Sequence, residues 1–174
     1  YGKTLGIFGM GRIGQAVAKR AIGFGMNVIY HNRNQAKVPL SLNIKYISTP
    51  EELLTKSDVL TIHAPLTEDT MGFFNQKRIG LLPKGAVLVN TSRGPLINDN
   101  ALIDALKNGS ISSAGLDVYA HEPNFDPRYK SLANTFLLPH LGSATNSTRE
   151  AMGMMAIDNI KDFISSGSPK NRVV

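Results

Sequence analysis

The sequence predicts an α/β fold, a doubly wound parallel sheet with helices on both faces. Three observations carry that prediction. Six short apolar runs recur along the 174 residues with helical segments between them. A glycine-rich GxGxxG joins the first run to the first helical segment. The composition, 42% hydrophobic, is enough for one domain with a full core and too little for two large ones. Runs that are apolar throughout belong to strands buried on both faces, as in parallel sheets whose crossovers are helices.

Taken in order, the first run is TLGIF (4–8). The segment after it places Ile13, Val17 and Ala21 at four-residue steps, which predicts a helix with that apolar stripe. NVIYH (27–31) is the second strand. Thr49-Pro50-Glu51-Glu52 then offers an N-cap, a proline at the first helical position and a glutamate to close a capping box, so a short helix starts there. VLTIH (59–63) and AVLVN (86–90) are the next strands, ALIDAL (101–106) a helix, and SAGLDV (113–118) and TFLLP (135–139) the last two strands. A long helix runs from Thr145 to Ser165, with Gly167 and Pro169 as stop signals. Prolines and glycines fall between these elements, and the longest irregular stretch, Glu122 to Pro127, is a candidate functional loop. No repeat, low-complexity tract or linker interrupts the chain, which reads as one domain over 1–174.

The formal net charge is +6, but the Lys and Arg residues are scattered, with no basic block and no aromatic-basic interleaving. That argues against a nucleic-acid partner and suits a small anionic ligand attracted by steering. The absence of cysteine removes disulfides and thiolate metal sites, and His31, His63 and His121 lack ligand spacing, so no metal is expected and these three read as structural or peripheral. No apolar run approaches the roughly 20 residues of a membrane helix and no signal-peptide pattern opens the chain, so a soluble, cytoplasmic protein with no membrane partner is expected.

Gly9-Met10-Gly11-Arg12-Ile13-Gly14 follows the first strand directly and opens a helix. In that context the glycines permit a tight turn, close approach of a pyrophosphate and close helix–sheet packing, the Rossmann-type dinucleotide site. About 20 residues on, such sites place an acid that accepts hydrogen bonds from the adenosine ribose. Here the position falls at His31 to Arg33. A carboxylate would repel a 2′-phosphate by roughly 4 kcal/mol per unit charge pair at about 4 Å and an effective dielectric of about 20. Asn32 removes that repulsion and Arg33 supplies a planar fork suited to phosphate, so NADP(H) is expected in preference to NAD(H), which remains an alternative.

Five ordered blocks, GKTLGIFGMGRIGQAVAKR (2–20), HAPLTEDTMGFFN (63–75), LLPKGAVLVNTSRGPLIN (81–98), AGLDVYAHEP (114–123) and LPHLGSAT (138–145), resemble the cofactor-binding domain of the D-isomer-specific 2-hydroxyacid dehydrogenases. The resemblance implies a catalytic trio. Arg93 matches the arginine that holds the substrate carboxylate, Glu122 the acid partner of the catalytic histidine, and His140 the histidine that protonates the carbonyl oxygen. It also implies backbone N–H groups of Arg12 and Ile13 on the pyrophosphate, and Thr91 and Asp117 at the nicotinamide carboxamide. The chemistry accounts for these types: a proton donor near neutral pH, a carboxylate that favours the charged histidine, and a guanidinium for a substrate carboxylate.

Within the family, Glu122-Pro123 looks like the hydroxyacid enzymes, where formate dehydrogenases carry glutamine. Gly-Ser-Ala-Thr after His140 resembles glyoxylate and hydroxypyruvate reductases or phosphoglycerate dehydrogenases. With His31-Asn32-Arg33 this implies a glyoxylate or hydroxypyruvate reductase acting on a small 2-oxo or 2-hydroxy acid. Two alternatives stay open, an NAD-linked phosphoglycerate dehydrogenase-like enzyme and a dinucleotide-sensing corepressor-like protein. Family members are about twice this length, so their substrate domain is expected to be absent from this chain. They pair through the cofactor domain, which implies a homodimer.

Overall fold

In the computed structural model residues 1–39 and 42–173 are described, and they form two compact units, residues 1–139 and 140–174. The first unit is built on seven parallel strands: β1 (Thr4–Phe8), β2 (Asn27–His31), β3 (Lys45–Tyr46), β4 (Val59–Ile62), β5 (Ala86–Asn90), β6 (Ile111–Leu116) and β7 (Thr135–Leu137). They stand in the order β3-β2-β1-β4-β5-β6-β7. The chain runs outward from β1 to β3, then returns past β1 to β4. That reversal leaves a crevice at the carboxyl ends of β1 and β4, the place where open α/β sheets bind ligands.

Helices cover both faces, as the apolar runs predict. On one face, Leu5, Ile7, Val28 and Tyr30 pack with Ala18 and Ala21 of α1 (Arg12–Gly23). On the other, Phe8, Ile29, Leu60, Ile62 and Leu88 pack with Leu53 and Leu54 of α2 (Pro50–Thr55), Ile79 of α3 (Gln76–Ile79) and Leu102 of α4 (Asp99–Lys107). Three of the strands coincide with their apolar runs residue for residue. VLTIH and TFLLP end sooner in the sheet, and SAGLDV is displaced: β6 starts at Ile111, while Asp117 and Val118 lie beyond its end yet stay buried.

The apolar stripe expected on α1 is corrected. Ile13 is exposed, and the buried face is Gly14, Ala18 and Ala21, with Val17 half-buried. Small residues bring the helix axis close to β1, and Gly14 against Gly9 fixes the rotation that turns Ile13 outward. The capping of α2 is also half as expected. Thr49 Oγ1 accepts from Glu52 N at 3.3 Å, but Glu52 Oε1 takes Lys56 Nζ at 2.6 Å. The i,i+4 lysine draws the carboxylate outward. The Glu122–Pro127 stretch closes into a 3₁₀ turn over Pro127–Ser131, capped by Asp126 accepting from Arg128 N at 3.0 Å.

The second unit carries α5 (Asn146–Ser166), one residue from the expected span at each end. Thr145 Oγ1 caps it by accepting from Thr148 N at 3.2 Å, and Gly167, at φ 73°, closes it with its N–H on Phe163 O at 2.8 Å. No residue of α5 is buried. Among the described residues no helix is long and apolar enough to cross a membrane.

Candidate functional site

The three motif glycines do different work. Gly9 sits at φ 106°, and a Cβ there would lie 2.6 Å from the His63 carbonyl carbon and from Ala64 N, so the turn after β1 passes directly against the end of β4. A Cβ on Gly14 would overlap the Gly9 carbonyl oxygen and press on Ile7. Gly11 has an ordinary extended backbone, φ −78° and ψ −164°, and a Cβ there would meet nothing within 4 Å. Its missing side chain serves the open space above it.

The first hydrogen bond of α1 runs from Gln15 N to Gly11 O at 2.9 Å. The N–H groups of Arg12 and Ile13 therefore fall in the first turn, which a helix leaves without internal partners. No acid occupies that turn, so the positive end of the helix dipole has no carboxylate of its own helix to compensate it and attracts an anion. A dinucleotide pyrophosphate fits both features, open space at Gly11 and a bare helix N-terminus.

Beside this loop a cavity of about 460 Å³ is lined by Gly9, Gly11, His31, Asn32, Arg33 and His63, among others. Asn32 Oδ1 accepts from Met10 N at 2.7 Å, tying the exit of β2 to the glycine loop. The side chain at the expected acid position thus has a structural task that an amide performs without charge. Arg33 is exposed, its Nη1 4.0 Å from Asp69 Oδ2.

Two histidines set aside on sequence also line the cavity. His31 Nδ1 lies 2.9 Å from Ile47 O; a carbonyl only accepts, so Nδ1 carries the proton. Its ring stacks between Phe8 and Tyr46, at 5.9 and 6.4 Å. His63 is half-buried, with Nε2 3.0 Å from Thr61 Oγ1, and burial holds its pKa below the ordinary imidazole value. For His63 the signal is adjacency to the glycine loop in space and not in sequence, whereas His31 opens the stretch that the motif spacing places beside the ribose.

Further along the sheet edge, Thr91 and Arg93 follow β5 and are exposed, and Asp117, just beyond β6, is buried. Sequence reasoning missed the residue that shapes this loop. Asn90 is fully buried; its Nδ2 donates to Arg93 O at 2.9 Å, and its Oδ1 accepts from Ser92 N at 3.0 Å and Ser92 Oγ at 2.9 Å. Its carbonyl accepts from Asp117 N at 3.0 Å, joining the loops after β5 and β6. Gly94 completes the join, since a Cβ there would overlap the Tyr119 carbonyl and Ala120 N.

Glu122 is exposed, and its Oε1 accepts from Tyr119 N at 2.9 Å. Tyr119, also missed, shares its one hydroxyl proton between Leu138 O at 2.9 Å and Leu116 O at 3.1 Å, fixing this loop to the ends of β6 and β7. Burial raises the Tyr119 pKa, keeping the phenol a donor. Arg93 and Glu122 belong to the first unit, while His140 opens the second, exposed and at φ 56°, a conformation few non-glycine residues adopt.

The family model described as "D-isomer specific 2-hydroxyacid dehydrogenase, NAD binding domain" matches residues 1–142. A curated glyoxylate reductase of Thermococcus litoralis is 44% identical over 173 residues, covering 99% of this chain and 52% of the relative. Among solved structures, a glyoxylate reductase from Paecilomyes thermophila superposes with a TM-score of 0.91 at 43% identity, covering 99% of this chain and 52% of that one. An NADPH-dependent glyoxylate/hydroxypyruvate reductase from Sinorhizobium meliloti, in complex with NADP and malonate, gives 0.91 at 37%, with 98% and 53% covered. The chain spans about half the length of the curated relatives it matches. With a Rossmann-type sheet, an open glycine loop and a matched family model, this chain belongs to the D-isomer-specific 2-hydroxyacid dehydrogenases and carries their nicotinamide-dinucleotide-binding fold.

Proposed function

We propose that the chain is the cofactor-binding part of a reductase converting a small 2-oxo acid, glyoxylate or hydroxypyruvate, to the D-2-hydroxy acid, with NADPH preferred. The observation that carries this reading is the cavity beside the glycine loop, where the exit of β2 presents Asn32 and Arg33 in place of a carboxylate. The names of the Thermococcus and Sinorhizobium relatives support the substrate class and the cofactor.

When bound, the reduced nicotinamide supplies a hydride to the carbonyl carbon. Gly11 leaves room for the pyrophosphate, the Arg12 and Ile13 N–H groups and the helix dipole bind it, and Arg33 pairs with the 2′-phosphate. Thr91 and Asp117 orient the carboxamide. Arg93 grips the substrate carboxylate, and an imidazolium N–H of His140 gives its proton to the carbonyl oxygen, completing the alcohol. Glu122 is the acid partner of that histidine in the same reading. Pairing of two copies through this domain, and a substrate domain supplied outside it, belong to the same proposal.

Titration with NADPH and NADH at equal ionic strength tests the cofactor reading. NADPH is expected to bind at least about tenfold tighter, about 1.4 kcal/mol, and Arg33→Ala to remove the difference. Equal or tighter binding of NADH would make Arg33 a bystander and favour an NAD-linked dehydrogenase.

A further inference from the structure

The cavity beside the glycine loop has one carboxylate among its described lining residues, Asp69, and it stands 4.0 Å from the one guanidinium there, Arg33. The acid is not at the end of β2, where a ribose-binding carboxylate ordinarily sits, but on a turn beyond β4, 36 positions after Arg33. That turn is held in place. Thr70 Oγ1 donates to Pro65 O at 2.8 Å and accepts from Thr67 N at 2.8 Å, and Met71 N donates to Thr67 O at 2.9 Å. The turn fixes the backbone that carries Asp69, whose side chain is as exposed as that of Arg33, 82% and 85%, so the longer Arg33 has the greater reach. Glu68, its neighbour, does not line the cavity.

We propose that Asp69 is a specificity-determining residue, a competitor for Arg33 that limits the preference for NADPH; this rests on the cofactor reading above. With NADH bound, Arg33 stays on Asp69. A 2′-phosphate draws the guanidinium away and leaves the Asp69 carboxylate near its own negative charge. The lining then holds one positive and one negative side chain against a dianion, so the phosphate gains less from Arg33 than an unopposed arginine would give. An acid on the opposite wall also keeps NADH acceptable without a carboxylate at the end of β2.

The test is Asp69→Asn in the chain as it stands, with Glu68→Gln as a control that makes the same change in net charge one residue away. Dissociation constants for NADPH and NADH are measured by nicotinamide fluorescence at fixed ionic strength. Asp69→Asn is expected to raise the NADPH-over-NADH preference about threefold to tenfold, mostly through tighter NADPH, and Glu68→Gln to change it less than about twofold. An unchanged preference in Asp69→Asn, or an equal rise in both variants, overturns the inference and leaves the cofactor reading standing. Failure of the parent chain to bind either dinucleotide overturns the cofactor reading, and the inference with it.

Discussion

Replacing each glycine of the GxGxxG loop by alanine in turn separates folding from binding. At Gly9, alanine would have to adopt φ 106° with its Cβ 2.6 Å from backbone atoms of His63 and Ala64. Conformational strain and overlap together cost about 4 kcal/mol. At Gly14, helix propensity returns about 1 kcal/mol, but the obstacle is the Gly9 carbonyl, a backbone atom that cannot rotate away, so the net loss is about 2 kcal/mol. Gly11 has no neighbour for a Cβ and no positive φ. The unfolded chain loses about 0.5 kcal/mol of conformational freedom, and alanine is a poorer N-cap by a similar amount, so stability stays within about 0.5 kcal/mol of the parent. Binding is another matter, because the new methyl projects into the space the pyrophosphate needs. Urea unfolding followed by circular dichroism should rank Gly9→Ala below Gly14→Ala below parent, with Gly11→Ala beside parent. Dinucleotide titration of the stable Gly11→Ala should show at least about a tenfold loss. A Gly11→Ala chain as unstable as Gly14→Ala, or one that binds dinucleotide like the parent, would refute this division of labour.

Asn90→Ala removes three hydrogen bonds of a buried amide and is expected to lower stability by about 2 to 3 kcal/mol in urea, with Asn90→Asp no better because it turns an oxygen toward the Arg93 carbonyl. Tyr119→Phe leaves two carbonyls without the hydroxyl, an expected loss of about 1 to 2 kcal/mol; an unchanged unfolding midpoint would show that solvent serves them equally well. His63 is held below its unfolded pKa by burial, so the unfolded state binds more protons as pH falls through about 6.5. Stability should therefore be fully present above that pH and decline below it. His63→Gln should flatten the decline, and parallel curves for the two proteins would assign it elsewhere. The chain alone, given NADPH and glyoxylate, is expected to show little turnover, because a cleft that is not closed neither excludes water nor positions substrate. Substantial turnover in a spectrophotometric assay at 340 nm, the absorbance of the reduced nicotinamide ring, would contradict that.

What could be read from the residues alone follows the range of the interactions involved. TLGIF, NVIYH and AVLVN became strands with those ends because burial on both faces writes itself into consecutive residues. Lys45–Tyr46, a two-residue edge strand, leaves no such trace, and the four-residue helix at Gln76 is too short to show a helical period. Ile13 was misread because its period fits a helix face, while the rotation of that helix is set by Gly14 against Gly9, a contact no periodicity reports. The glycine loop was legible because its three glycines and the start of the helix they open fall within six consecutive residues. The Tyr119 hydroxyl on Leu138 O and the Arg33–Asp69 pair were not, since each joins residues brought together only by the sheet order or a loop's return, and the Asn90 clamp, though local, is one buried amide at the end of an apolar run and leaves no periodic trace.

The backbone-to-backbone meeting of Gly94 with Tyr119 also bears on motion. With no side chain between them to act as a cushion, and with the Asn90 carbonyl holding Asp117 N, the segments carrying Arg93 and Glu122 are expected to move together rather than as two independent arms. In hydrogen exchange the amides of Ser92, Asp117 and Tyr119 would then open as one cooperative group, on a common free energy, instead of fraying loop by loop.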